Sequence, residues 1–74
     1  MTLDYYRIFY YVARYKSFSN AAEMLGSNQP NITRCMNILE NELDCQLIDR
    51  NKTPITLTPA GVLFRNYCNQ VSQM

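Results

Sequence analysis

Polar side chains recur in the middle of the sequence at spacings that place them on one side of a helix. Gln29, Thr33 and Asn37 are four residues apart, and Arg34 follows Thr33 directly. At about 100° per residue these side chains share one face, which also includes Pro30 and Asn41. The opposite face is aliphatic and consists of Ile32, Met36, Leu39 and Leu43. The division predicts an amphipathic helix with its polar face free for contacts outside the core.

This polar face has the chemistry needed to contact base edges in B-DNA, whose major groove admits one α-helix. Glutamine can form two hydrogen bonds with adenine, arginine can bind guanine or phosphate, and threonine offers a hydroxyl and a methyl group. Each residue alone is more often simply solvated, and Arg34 could instead pair with Glu40 or Asp49. The residues taken together, in this order, favour DNA binding.

The residues before this face contain signals for the end of one helix and the start of the next. Gly26 can adopt the left-handed conformation that ends a helix, and Ser27 can cap the following one. Pro30 then falls in the first turn, where a missing N–H costs little. We expect a recognition helix from about Ser27 to about Leu43, with free N–H groups near Ser27 and Asn28 that favour phosphate contact.

Two short apolar runs farther along the chain flank a turn-prone tetrad. Residues 47–50 and 55–57 enclose the sequence Asn-Lys-Thr-Pro at 51–54, a pattern that predicts a β-hairpin. Arg50 lies near the base of this hairpin and Lys52 at its tip. Both cations are expected to meet phosphates or the adjacent minor groove, although such residues are commonly just solvated.

The remaining segments supply the other helices. Apolar residues at helical spacing predict a first helix over residues 3–16, and Ser19 is a good N-cap for a second helix that ends at Leu25. Thr58 followed by Pro59 predicts the start of a last helix that continues to the end. Its apolar stripe exceeds what so small a core can use and predicts a homodimer contact through Leu63, Phe64, Tyr67 and Val71.

The predicted fold class is therefore mostly α: a winged helix-turn-helix with three helices, a two-stranded β-hairpin wing and a long C-terminal linker helix. Residues 1–58 would form the winged helix-turn-helix, and residues 59–74 the linker and dimerisation helix. The predicted DNA-binding residues are Ser27, Asn28, Gln29, Pro30, Asn31, Thr33, Arg34, Asn37, Arg50, Lys52 and Thr53.

Composition excludes several other classes of protein. The chain has 74 residues, enough for one modest core, and its net charge of +1 argues neither for nor against nucleic acid. No apolar run approaches the ~20 residues of a membrane span, and the first residues lack a signal-peptide pattern. We therefore expect a soluble, cytoplasmic protein.

The sequence also lacks the residues that a catalytic or metal-binding site needs. The sequence has no histidine, and its three cysteines are widely spaced, so neither a zinc site nor a disulfide is predicted. We interpret the cysteines as small apolar residues. No nucleophile stands beside a base and no glycine-rich phosphate loop occurs, while Glu40 and Glu42 are interpreted as solvated or as cap partners. No enzymatic activity and no cofactor are predicted.

Five segments of the sequence resemble the N-terminal domain of LysR-type transcriptional regulators. They are residues 17–25 (SFSNAAEML), 27–34 (SNQPNITR), 39–40 (LE), 47–50 (LIDR) and 57–61 (LTPAG). The resemblance covers essentially the whole chain and implies that Gln29, Pro30, Thr33 and Arg34 face DNA. It also implies that Arg50 and the wing tip at Lys52–Thr53 approach the backbone or minor groove, and that the last helix pairs with its symmetry mate.

The sequence departs from the family pattern at two places. Asp44-Cys45 stands where the family commonly has a glycine-containing turn, and Ile48 replaces a frequent phenylalanine. Family members also continue into a periplasmic-binding-protein-like effector domain. We therefore expect an isolated or truncated DNA-binding domain, and expect a small-molecule effector only for such a further domain.

Two functional hypotheses follow. The first is sequence-specific binding of double-stranded DNA by a homodimer on an interrupted palindrome, which would regulate transcription. The second is a winged-helix protein–protein interaction module, because a fold alone does not decide function. Salt-dependent binding to duplex DNA distinguishes the first hypothesis from the second.

Overall fold

The computed structural model describes residues 3–72 and confirms the predicted fold class. The elements, in chain order, are α1 (Leu3–Tyr15), α2 (Phe18–Met24), α3 (Gln29–Leu43), β1 (Ile48–Asp49), β2 (Thr56–Leu57) and α4 (Pro59–Ser72). Three helices thus precede a hairpin, and a fourth helix follows it. None of the helices in the described range is long and apolar enough to cross a membrane.

The core lies where α1, α2 and α3 meet. Phe9 and Val12 of α1 and the aliphatic face of α3, represented by Ile32, Met36 and Leu39, are each at most 1% exposed. The small residues of α2, Ala21 and Ala22, are also buried and allow this helix to approach its neighbours closely. The apolar face predicted for α3 is therefore confirmed, and burying it turns the polar face outward.

The predicted N-cap of α2 was wrong by two residues. Ser17, not Ser19, caps the helix: its hydroxyl oxygen accepts a hydrogen bond from the Asn20 backbone N–H at 3.1 Å. Both serines have suitable chemistry. Capping at Ser17 places Phe18 in the first turn, where its ring packs against the core.

The turn between α2 and α3 is closed at Gly26, as predicted, with a φ of 67°. The Ser27 N–H donates to the Ala22 carbonyl at 2.8 Å, and the Gly26 N–H donates to the Glu23 carbonyl at 3.2 Å. This pair of bonds is the Schellman arrangement. Since Ser27 completes the end of α2, α3 is capped one residue later than predicted, by Asn28.

The C-terminal end of α3 also contains a left-handed residue, but this residue is not glycine. Asp44 is left-handed with a φ of 55°, and its N–H donates to the Asn41 carbonyl at 3.2 Å. The Cys45 N–H donates to the Glu40 carbonyl, also at 3.2 Å. Aspartate tolerates this conformation better than most residues. The helix therefore ends in a left-handed turn although this turn contains no glycine.

The predicted hairpin forms, with strands of two residues each. β1 and β2 are antiparallel, and their register pairs Ile48 with Leu57 and Asp49 with Thr56. Ile48 is buried where the family often has phenylalanine. The loop between β1 and β2 extends from Arg50 to Ile55 and includes a cis peptide bond before Pro54.

The start of α4 agrees with the sequence prediction. The Thr58 hydroxyl oxygen accepts from the Gly61 N–H at 3.0 Å, and the same hydroxyl donates to the Gln46 carbonyl at 2.6 Å. Gly61 lies so close to the wing that a Cβ there would be 2.0 Å from the Leu47 carbonyl oxygen. The cap and this close approach fix α4 to the base of the hairpin.

The three cysteines differ in their surroundings. Cys35 and Cys68 are buried and pack as small apolar residues, as predicted. Burial raises the pKa of the Cys68 thiol. The interpretation was wrong for Cys45, which is exposed because it follows the left-handed turn at the end of α3.

Candidate nucleic-acid interface

The outward face of α3 carries most of the predicted DNA-binding residues. Gln29, Pro30, Arg34 and Asn37 are exposed, while Thr33 is half-buried. The two faces are separated because the aliphatic residues at the intervening positions form the core. The structure thus brings these five residues together on one helix, opposite its buried face.

A chain of hydrogen bonds orders the beginning of α3. The Asn28 side chain accepts from the Asn31 backbone N–H at 2.9 Å, and the Asn31 side-chain amide donates to the Ser27 hydroxyl at 3.0 Å. Arg34 Nη2 in turn donates to Asn31 Oδ1 at 2.7 Å. Both ends of the Asn31 amide are therefore occupied within the chain. Arg34 therefore binds Asn31 and not Glu40 or Asp49, the two partners that the sequence left open.

Arg50 lies at the root of the wing and binds back to α3. Its Nη2 forms an ion pair with Glu40 Oε1 at 2.8 Å, and its Nη1 donates to Asn37 Oδ1 at 2.7 Å. The guanidinium also lies over the ring of Phe18, 5.4 Å from the centroid. Arg50 is thus held between the recognition helix, the wing and the start of α2.

Sequence reasoning missed the role of Glu40. Its other carboxylate oxygen, Oε2, accepts from the backbone N–H groups of Leu47 at 2.8 Å and Ile48 at 3.1 Å. The side chain is only 12% exposed, so the interpretation as a solvated residue was wrong. The sequence signal for this role was a glutamate on a helix that is followed by a short strand, with an arginine directly after the strand.

An open groove runs between the wing tip and the start of α2 and α3. It is lined by Lys16, Ser17, Phe18, Ser19, Gln29, Lys52, Thr53, Pro54 and Ile55. Lys52 and Thr53 are exposed, and Lys16 is a second exposed cation that the sequence did not single out. The Ser19 hydroxyl donates to Gln29 Oε1 at 3.5 Å, and both residues line this groove. The groove therefore places positive charge beside the first residues of the recognition helix.

The predicted dimerisation residues are divided between solvent and the core. Leu63 is 72% and Tyr67 is 57% exposed. Phe64 is half-buried, with its ring centroid 5.3 Å from that of Tyr6 and 5.2 Å from that of Phe9. The side chain of Val71 lies outside the described part of the chain.

Within the described part of the chain, no cluster of three or more possible metal ligands is found.

Residues 3–62 match the model of a family described as bacterial regulatory helix-turn-helix protein, lysR family. The chain is 41% identical over 70 residues to a probable RuBisCO transcriptional regulator of Thalassiosira pseudonana; the match covers 95% of this chain and 23% of the relative. It is also 41% identical over 71 residues to a probable cat1 operon transcriptional activator of Acinetobacter lwoffii, covering 96% of this chain and 23% of that relative.

A solved structure shows the same arrangement of elements. The DNA-binding domain of BenM, a regulator of Acinetobacter baylyi, in complex with catB site 1 DNA superposes with a TM-score of 0.95 at 36% identity. The superposition covers 99% of this chain and 78% of that chain. The chain spans 23% of the length of the two curated relatives above. The family match over residues 3–62, supported by these likenesses, shows that the chain belongs to the lysR family of bacterial regulatory helix-turn-helix proteins.

Proposed function

We propose that this chain is the DNA-binding part of a transcriptional regulator, and that it binds specific duplex DNA sequences through α3. The observation that carries this proposal is the outward face of α3, where Gln29, Thr33, Arg34 and Asn37 lie together beside a basic wing. The related BenM domain, with the same fold, was solved on DNA. In this proposal α3 enters the major groove, and the wing contacts the backbone or minor groove.

The proposed binding unit is a homodimer on an interrupted palindrome in the cytoplasm. Leu63 and Tyr67 leave a large apolar area of α4 in water, together with Val62, which is 37% exposed. A second copy of α4 would cover this area, and a two-fold protein then meets two half-sites on one face of the duplex.

The test is selection of binding sequences from randomised duplex DNA, followed by titration of the selected duplex. Gln29→Ala and Arg34→Ala are expected to weaken binding and to change the preferred sequence, because these side chains would contact base edges. Lys52→Ala is expected to weaken binding to all sequences and to lower the salt slope by about one, because a phosphate contact carries no sequence information.

Arg14→Ala provides the matched control. Arg14 is exposed on α1, an element that contributes none of the proposed DNA-facing residues, so its loss should change affinity much less than the loss of Arg34. Wild-type affinity and sequence preference in both α3 variants would show that this face does not read DNA. A wild-type chain without salt-dependent duplex binding would favour a protein–protein interaction module instead.

A further inference from the structure

The turn between α1 and α2 contains a lysine in a conformation that lysine rarely adopts. α1 ends at Tyr15 and α2 begins at Phe18, and between them Lys16 is left-handed with a φ of 53°. The Lys16 N–H donates to the Val12 carbonyl at 2.8 Å, and this bond completes the end of α1. A helix that ends in this way usually has glycine at the left-handed position, because a Cβ is unfavourable there.

Lys16 differs from the other described residues that have a positive φ, Gly26 and Asp44. Glycine has no Cβ, and a short aspartate side chain can form local hydrogen bonds in this conformation. Lysine has neither property, so glycine at position 16 would make the turn more stable. A residue held in such a conformation points to a function of its side chain.

The side chain of Lys16 brings a positive charge to the groove beside the recognition helix. Lys16 lines this groove from the turn between α1 and α2, and Lys52 lines it from the wing tip. Both lysines are exposed, and none of the described residues that line the groove is acidic. Neither lysine forms an ion pair within residues 3–72. Both charges are therefore available to an anion.

The groove lies next to the surface that α3 would present to DNA. Gln29, the first residue of α3, lines it together with Ser19 of α2. In helix-turn-helix complexes the helix before the recognition helix crosses the DNA backbone, and Lys16 lies two residues before that helix. A DNA strand carries a phosphate at every nucleotide, so a strand along the groove can meet both lysines at once.

We propose that Lys16 is a further DNA-binding residue, and that its ammonium group binds a backbone phosphate separate from the one that Lys52 contacts. The inference rests on the DNA binding proposed above. Because a phosphate carries no sequence information, Lys16 contributes affinity for every duplex and leaves the preferred sequence to α3.

The variant Lys16→Gly removes the charge and the unfavourable conformation together, so stability and DNA affinity should change in opposite directions. The melting temperature should rise by about 4 °C or more. In titrations of duplex DNA, affinity should fall by about 5-fold or more for all sequences, and the salt slope should fall by about one. Lys16→Arg keeps both the charge and the Cβ, and should keep the wild-type affinity, salt slope and melting temperature.

Two further variants complete the experiment. Arg14→Ala removes an exposed cation of α1 that does not line the groove, and should leave the salt slope close to that of wild type. The double variant Lys16→Gly/Lys52→Ala should lower the salt slope by about two, because two separate phosphates lose their partners.

Each outcome decides one part of the inference. Wild-type affinity and salt slope in Lys16→Gly would overturn the phosphate contact, while DNA binding by α3 would stand. Lower stability together with lower affinity would point to damage to the turn and would also overturn it, as would a Lys16→Arg chain that binds as weakly as Lys16→Gly. A double variant whose slope falls by only about one would overturn the assignment of two phosphates. A wild-type chain without salt-dependent duplex binding would overturn the proposed function itself, and the inference with it.

Discussion

Replacing Glu40 by alanine should destabilise the fold more than its position on a helix surface suggests. The carboxylate is the acceptor for the backbone N–H groups of Leu47 and Ile48, two residues that are themselves buried. Each buried N–H that loses its partner costs about 1–3 kcal/mol. The ion pair with Arg50 adds little, because that side chain is 35% exposed.

The expected loss in the free energy of unfolding is about 2–4 kcal/mol, allowing for some access of water to the freed groups. For a domain of this size such a loss lowers the melting temperature by about 10 °C or more. Glu40→Gln keeps one carbonyl oxygen for the two N–H groups, so its loss in the free energy of unfolding should be roughly half as large.

Urea and thermal unfolding followed by circular dichroism measure these differences. Glu23→Ala, the same change at an exposed site of α2, is the control and should stay within about 0.5 kcal/mol of wild type. Hydrogen exchange of the Leu47 and Ile48 amides adds a local measurement, because these amides should exchange faster once Glu40 is lost. A Glu40→Ala chain as stable as the Glu23→Ala control would show that the Leu47 and Ile48 N–H groups do not depend on this carboxylate.

Three further substitutions test other contacts. Gly61→Ala should cost about 1–3 kcal/mol in urea unfolding, since a Cβ there would lie 2.0 Å from the Leu47 carbonyl oxygen; a stability equal to wild type would show that α4 can move away freely. Asp44→Gly should raise stability by about 0.5–1 kcal/mol, because glycine adopts the left-handed φ of 55° without steric cost, whereas Asp44→Ala should give no such gain. Leu63→Glu should convert a dimer into a monomer in sedimentation equilibrium, while Met24→Glu, at a comparably exposed apolar site on α2, should not; a monomeric wild-type chain would contradict the proposed dimer.

Local features of the sequence were enough to predict the order of the elements. Gly26 and Thr58 were identified correctly because a left-handed turn and an N-cap each depend on a few adjacent residues. The cap of α2 was not, because Ser17 and Ser19 have the same local chemistry. The choice between them depends on packing of the intervening Phe18 ring against the core, which the sequence does not display.

Helical periodicity does not reveal the role of Glu40, for a related reason. Its three partners follow it by seven to ten positions, beyond the range of helical periodicity. Nothing in the spacing alone shows that the chain turns back after Asp44 and brings the first wing strand against this carboxylate. The same reversal brings Arg50 to Asn37, so the sequence could propose both residues as DNA contacts but not the bond between them.

These contacts explain how so short a wing can hold a defined position. An isolated two-stranded hairpin is marginal in water, and this one has only two residues in each strand. Its orientation must therefore be set from outside: Glu40 and Arg50 join it to α3, and the close approach of Gly61 joins it to α4. Because the first of these links also contains Asn37, the recognition helix and the wing root form one hydrogen-bonded unit. A change at Glu40 should consequently reduce stability and sequence preference together, whereas a change at Lys52, on the exposed tip, should alter DNA affinity and leave the unfolding free energy unchanged.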